Sequence, residues 1–221
     1  MLLSKTTIDV LSNFSKLNTN LLIRKGSILE TITVGKDIIA RYESQDNFDT
    51  QVGILNLNEF LGVLSVFTEP ELTLDTKFMN ISQGKESVRY VYAEESSLFS
   101  PSAKPLKFPV SDIHLQITSE TFNKIQKVSG IINADEMAII GDGKNISIKI
   151  FNKKNPSANV FDIDTGLTTS DKFRVVFKIE KLKVLPGNYT VDIAQKISRF
   201  TNDLIPLIYY IAIESDSVFP D

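Results

Sequence analysis

Hydrophobic and polar positions along this chain fall into one pattern stated twice: short strand, helix, block of strands, second helix closed by a proline, strand pair. The first statement runs from Leu3 to about Glu94 and the second from about His114 to Glu214. Apolar residues at helical spacing, Val10, Leu11, Phe14 and Leu17, predict a helix over Thr7–Leu17, and Leu57, Phe60, Leu61 and Leu64 predict another. Thr6 with Asp9, and Asn56 with Glu59, supply the capping spacing that satisfies free amides at a helix start. The second helix should stop before Pro70, which cannot continue the hydrogen-bond ladder. Strands are expected around Leu21–Arg24, Ile28–Val34, Ile38–Glu43 and Phe48–Ile54, with turns at Lys25-Gly26 and Gly35-Lys36-Asp37. Two closing strands flank Gly84-Lys85, the second alternating Val88, Tyr90 and Tyr92.

The second statement repeats the plan with little identity. Phe122, Ile125 and Val128 predict a helix ending near Gly130, Gly141-Asp142-Gly143 a tight hairpin, and Ile179, Leu182 and Leu185 a fourth helix stopped by Pro186-Gly187. Strands around Tyr189–Ala194 and Leu207–Glu214 close it, and Ser217–Asp221 reads as a short free tail. Between the statements, Ser96, Ser97, Ser100 and Ser102 interleave with Pro101, Pro105 and Pro109, the composition of an ordered strap over about 94–109. The expected architecture is α+β: two similar domains, 1–107 with the strap and 108–221, each with two helices packed on antiparallel sheets.

Composition narrows the function. With 42% hydrophobic and 23% charged residues in 221, the chain is an ordinary globular protein that folds throughout. Cysteine is absent, which removes disulfides, thiolate metal sites and a cysteine nucleophile. Glycosylation-type triplets at Asn13, Asn80, Asn145 and Asn188 read as accidental, with no secretory leader to make them relevant. The longest apolar run, Leu204–Ile213, contains Pro206 and falls short of the roughly 20 residues of a membrane helix, so it reads as a buried strand. A net charge of −3 and pI near 5.3 argue against a nucleic-acid coat but leave room for a local basic face.

Catalytic signatures are sparse. His114 is the only histidine and sits in a strand pattern beside Ile113 and Leu115, a poor setting for a general base. Asp162 and Asp164 read as strand-edge residues on one face rather than metal ligands. Gly141-Asp142-Gly143-Lys144 lacks the spacing of a phosphate loop and a following helix. What remains is basic charge on helices: Lys124 and Lys127 turn outward on the third, Lys181 and Lys183 flank the fourth, and Lys5 and Lys16 lie on the polar face of the first. Glu59 and Gly62 occupy the outer face of the second.

Read in order, five blocks are similar to the sliding clamp of T-even-type bacteriophages, the polymerase processivity factor. They are Leu3-Ser4-Lys5-Thr6-Thr7 with Leu11, Asn13 and Phe14; Leu55 to Ser65; Lys104-Pro105-Leu106-Lys107-Phe108-Pro109-Val110; Pro186-Gly187-Asn188-Tyr189; and Ala212 to Ser217. The segments Asn152–Ser170 and Gln195–Asp203 look like divergent loops.

The resemblance implies a DNA-clamp fold and a non-enzymatic ring of three identical subunits around duplex DNA, with helices lining the hole and no cofactor. It implies as partners sequence-independent duplex, the replicative DNA polymerase, the clamp loader and late-transcription factors, in the cytoplasm of an infected bacterial host and away from membranes. Lys5, Lys16, Lys124, Lys127, Lys181 and Lys183 would then face DNA. Leu106, Phe108, Val218 and Phe219 would line an apolar groove for short partner tails, or Leu106 and Phe108 would simply pin the linker. The other class open to a duplicated, cysteine-free, strand-rich chain is a virion structural or assembly protein.

Overall fold

The computed structural model describes residues 1–104 and 106–220, so Pro105 of the expected strap and Asp221 of the expected tail lie outside the described residues. The chain forms two compact units, Met1–Pro105 with Pro206–Ile208, and Leu106–Ile205 with Tyr209–Asp221.

The first unit opens with helix α1, Lys5–Phe14. Its cap is Ser4, not Thr6: Ser4 has extended backbone and its hydroxyl accepts from the Thr7 amide. The choice is made at a distance, because the Asp46 carboxylate accepts from both the Ser4 amide and hydroxyl at 3.0 Å. Strands β1, Leu21–Ile23, β2, Gly26–Ile32, β3, Ile38–Phe48, and β4, Val52–Ile54, follow. β3 runs on past Glu43 because Ser44 has an internal partner, the Thr7 hydroxyl at 2.7 Å. Helix α2, Leu57–Ser65, starts at the expected cap, with Asn56 accepting from the Glu59 amide at 3.2 Å. It ends well before Pro70, and the Gln83 side chain takes the Thr68 and Glu69 amides beyond it. Strands β5, Glu71–Leu74, β6, Phe78–Gln83, and β7, Glu86–Val91, form an antiparallel sheet. Met1 pairs with Leu72 of β5 through both backbone groups. Val10, Leu11 and Phe14 of α1 and Leu57 and Phe60 of α2 are fully buried.

The second unit contains β8, Ile113–Ile117, α3, Ser119–Ile132, β9, Glu136–Asp142, β10, Asn145–Phe151, β11, Phe161–Thr168, and β12, Lys172–Lys178. β13, Tyr189–Ala194, β14, Ile197–Asn202, and β15, Leu207–Ala212, complete it, although β15 begins in the segment grouped with the first unit. One sheet has the order β11-β10-β9-β12; β8, β13, β14 and β15 are neighbours in another. The repeat is therefore topological. β1·β4 and β2·β3 answer to β9·β12 and β10·β11, and Met1 on β5 answers to β8 on β13.

Three further expectations are corrected. The predicted fourth helix is a single 3-10 turn, Ile179–Lys181. Its seven residues before Pro186 are too few to offset helix nucleation, and proline disfavours helical backbone at Leu185. Leu185 is instead caught by two buried tyrosines: Tyr189 donates to its carbonyl at 2.6 Å, and its amide donates to Tyr209 at 3.0 Å. Burial pushes the Tyr189 phenol up to about 12. The segments read as divergent loops contain strands β11 and β14. The tail is not free, since Val218 exchanges backbone hydrogen bonds of 2.7 and 2.8 Å with Arg174 of β12.

Candidate nucleic-acid interface

Lys5, Asp9, Ser12 and Lys16 recur at steps of four, three and four residues, so the turns of α1 and its continuation carry them along one side, and Lys5, Asp9, Ser12 and Lys16 are all exposed. The residues left over, Val10, Leu11 and Phe14, form the buried side. On α3, Glu120, Lys124, Lys127 and Ile131 recur at the same steps and are likewise exposed, opposite buried Phe122 and Ile125. Each stripe holds two lysines and one carboxylate, and the Lys124 ammonium lies 3.8 Å from Glu120. On α2 the exposed residues include Asn58, Glu59, Gly62 and Ser65, with no lysine or arginine.

Lys181 departs from its predicted outward position. It lies on the 3-10 turn with its side chain 14% exposed, and its ammonium is 2.8 Å from Glu214. Lys183 is exposed in the segment leading to Pro186.

The strap residues are held by what lies beneath them. Asn20 accepts from the Phe99 amide and Asn18 donates to the Phe99 carbonyl, both at 3.0 Å. Phe108 lies 6.1 Å from Tyr210 of β15, and the Arg199 guanidinium of β14 sits over its ring at 4.7 Å. Arg199 donates twice to one oxygen of Asp192, at 2.6 and 3.0 Å, and His114 meets the other oxygen at 2.6 Å. Burial alone would raise the Asp192 carboxyl, but the bonds from Arg199 and His114 outweigh it and hold it below the usual range. Ser111 reaches the far nitrogen of His114 at 3.4 Å, near the limit of a hydrogen bond. His114 alternates with buried Ile113 and Leu115, as its sequence context predicts.

Leu106 is 36% exposed and Val218 59%. Phe108 rests on β14 and β15, whereas Val218 is bonded to β12 of the other sheet. The structure thus ties the two halves of the predicted groove to different sheets. Asp162 and Asp164 lie on the exposed side of β11, an edge strand, as expected. The Gly141–Lys144 stretch is a hairpin in which Asp142 accepts from the Asn145 and Lys144 amides at 2.7 and 2.8 Å. Sequence reasoning missed Arg199 and Asp192, which the register of β13 on β14 sets directly opposite each other.

A family model described as gp45 sliding clamp, C terminal, matches residues 114–215. The sliding clamp of Escherichia phage RB69 is 29% identical over 235 residues, covering 98% of both chains. That of Enterobacteria phage T4 is 28% identical, again with 98% of each chain covered. The chain is similar to phage sliding clamps over nearly its whole length. Solved clamps of other lineages share its α+β clamp fold at identities too low to carry more than fold. The PCNA of A. fulgidus, in a structure described as bound to the C-terminal region of FEN-1, superposes with a TM-score of 0.70 at 14% identity over 98% of this chain and 99% of that one. The Entamoeba histolytica PCNA gives 0.67 at 13% identity over 94% of each. Against that clamp framework, the two exposed lysine stripes lie at matching positions of the repeat, on α1 and α3.

Proposed function

We propose that this chain is a sliding clamp that encircles duplex DNA as a homotrimer, without catalysis or cofactor, and tethers the replicative polymerase. The observation that carries this reading is the repeated stripe, Lys5 to Lys16 on α1 and the turn that continues it, and Glu120 to Ile131 on α3, in a chain resembling phage sliding clamps over 98% of its length. Two lysines spaced along each stripe, against a single carboxylate, attract phosphates without reading bases. In a ring such contacts need only be weak, because topology retains the DNA. Lys5, Lys16, Lys124, Lys127 and Lys183 form the DNA-facing set of this proposal; the Glu214 ion pair makes Lys181 a structural residue instead.

Ring closure has a pattern to follow. Strand addition needs free edges, and both β7 and β11 are sheet edges among the described residues. We therefore place β7 of one copy along β11 of the next. Two clamp domains meeting at 107/108, and partner tails at the exposed Leu106 or at Val218 and Phe219, belong to the same reading. So do the clamp loader and late-transcription factors as further partners, and the infected host's cytoplasm as location.

Sedimentation should give a trimer mass. With its loader and polymerase, the chain should be retained on nicked circular but not linear duplex and should lengthen primer-extension products. A monomer that leaves synthesis by that polymerase unchanged would overturn the proposal.

A further inference from the structure

We propose that the Ser111 hydroxyl is a modification site that takes an acyl group from a small activated acyl donor. Its reactivity comes from two side chains on β8 and β13. The hydroxyl lies 3.4 Å from Nε2 of His114, and Nδ1 of His114 lies 2.6 Å from one oxygen of Asp192. Asp192 stands directly opposite His114 in the register of β13 on β8, although the two are 78 residues apart in the chain. The His114 side chain is 63% exposed and Ser111 is half-buried, so a small electrophile reaches both.

The carboxylate fixes the tautomer. Arg199 donates twice to the other oxygen of Asp192 and keeps the group ionised, and an ionised carboxylate only accepts. Nδ1 of His114 therefore carries the imidazole hydrogen, and Nε2 of the neutral ring keeps the lone pair that faces Ser111. Nucleophile, base and orienting carboxylate stand in the order that activates a hydroxyl for acyl transfer. The hydroxyl contact is the looser of the two, as is common before a substrate tightens it. In the step, Ser111 Oγ bonds to the acyl carbon and its proton passes to Nε2. The leaving group departs with the electron pair of the broken bond and takes up that proton. No oxidant or reductant is needed, and the chain is modified once without turnover. A phosphoryl group fits less well, because its oxygens need a free cation and the Arg199 guanidinium is committed to Asp192.

The test treats the full chain with p-nitrophenyl acetate and follows the acetyl group by peptide mass spectrometry, hydroxylamine separating esters from lysine amides. Ser111 should be acetylated at least about a hundredfold faster than exposed Ser12, the gain a positioned general base supplies. The charged groups about the imidazole are Asp192 and Arg199, bonded to each other, and Asp112, two residues before it. On acidification Nε2 takes a proton and its lone pair is lost, so the Ser111 rate should rise with pH to a plateau, whereas hydroxide alone would keep it rising. His114→Gln should bring Ser111 down to the Ser12 rate. Asp192 is a positioning residue, and Asp192→Asn should lower the plateau while the Ser12 rate stays unchanged. Equal rates at the two serines, a rate without a plateau, an excess that survives in His114→Gln, a plateau unchanged in Asp192→Asn, or an acetyl that rests on His114 instead of Ser111 would each overturn the proposal. The comparison of the two serines and the pH profile stand on the unmodified chain alone.

Discussion

At the residue scale, two carboxyls are shifted in opposite directions. Asp192 is held below its ordinary value by Arg199 and His114 despite burial, so the folded state binds its proton less readily than the unfolded chain does. Its contribution is present above the unfolded value, about 3.9, and is lost as pH falls through the lowered folded value. Asp192→Asn should therefore cost about 1.5–3 kcal/mol at neutral pH, as for hydrogen bonds to a charged group. The difference from the parent in urea midpoint should shrink below pH ~4. A difference that stays constant from neutral to acid would show that the charge is not what counts. Glu136 is raised by burial, so its contribution is present below its unfolded value and lost as pH rises through the folded one. Glu136→Gln should accordingly be more stable than the parent at pH 8 and lose that advantage on acidification, read by the same titration. Packing sets a further limit at Gly53 of β4, where a Cβ would fall on the Ala93 carbonyl oxygen. Gly53→Ala should cost about 1–3 kcal/mol in the same assay, as overpacking does.

At the element scale, what the chain reveals and what it conceals divides by the sequence distance of the deciding contact. The Asn56 cap is legible because cap and amide lie three residues apart. The α1 cap is not, because both Ser4 and Thr6 suit the role and Asp46, 42 residues on from Ser4, makes the choice. Apolar spacing at Ile179, Leu182 and Leu185 fits a helix as well as a turn that buries Ile179 and Leu182, and Tyr189 and Tyr209 settle it from later strands. The same division runs through the site. Exposure of Lys124 and Lys127 follows from helical period alone, whereas Lys181 is turned inward by Glu214, 33 residues away. The lysines should therefore separate in experiment. Lys124→Gln with Lys127→Gln should flatten the salt dependence of DNA-stimulated synthesis by about 0.9 for each phosphate no longer neutralised, in a log–log plot. Lys181→Gln should leave that slope unchanged and lower the melting temperature. A slope equal to the parent's in the doubly substituted chain would remove α3 from the DNA-facing surface.

At the scale of the whole molecule, a repeat with unpaired edges has two outcomes: a head-to-tail contact either closes into a ring or propagates as a filament. The edges differ in charge: β11 is acidic, while β7 carries one cation, Arg89, and one carboxylate, Glu86. β11 exposes Asp162 and Asp164 on one face, and β7 exposes Arg89, whose guanidinium lies 3.7 Å over the Phe78 ring. If β7 of one copy adds to β11 of the next, Arg89 is the cation available to those carboxylates, and like charge at that position costs several kcal/mol. Asp162→Arg with Asp164→Arg should shift the proposed trimer toward monomer by tenfold or more in protein concentration, measured by sedimentation equilibrium at low salt. Arg89→Asp should do the same alone, and mixing the two variant chains should recover assembly, because each supplies the edge the other lacks. The recovery separates pairing from damage, since two misfolded chains do not restore each other. A trimer indifferent to both reversals would keep the ring and discard this edge. Half-buried Phe161, Ile163, Thr165 and Leu167 leave the carboxylates on the opposite, exposed face of β11, so reversing their charge does not disturb its packing and the assay reads the edge alone.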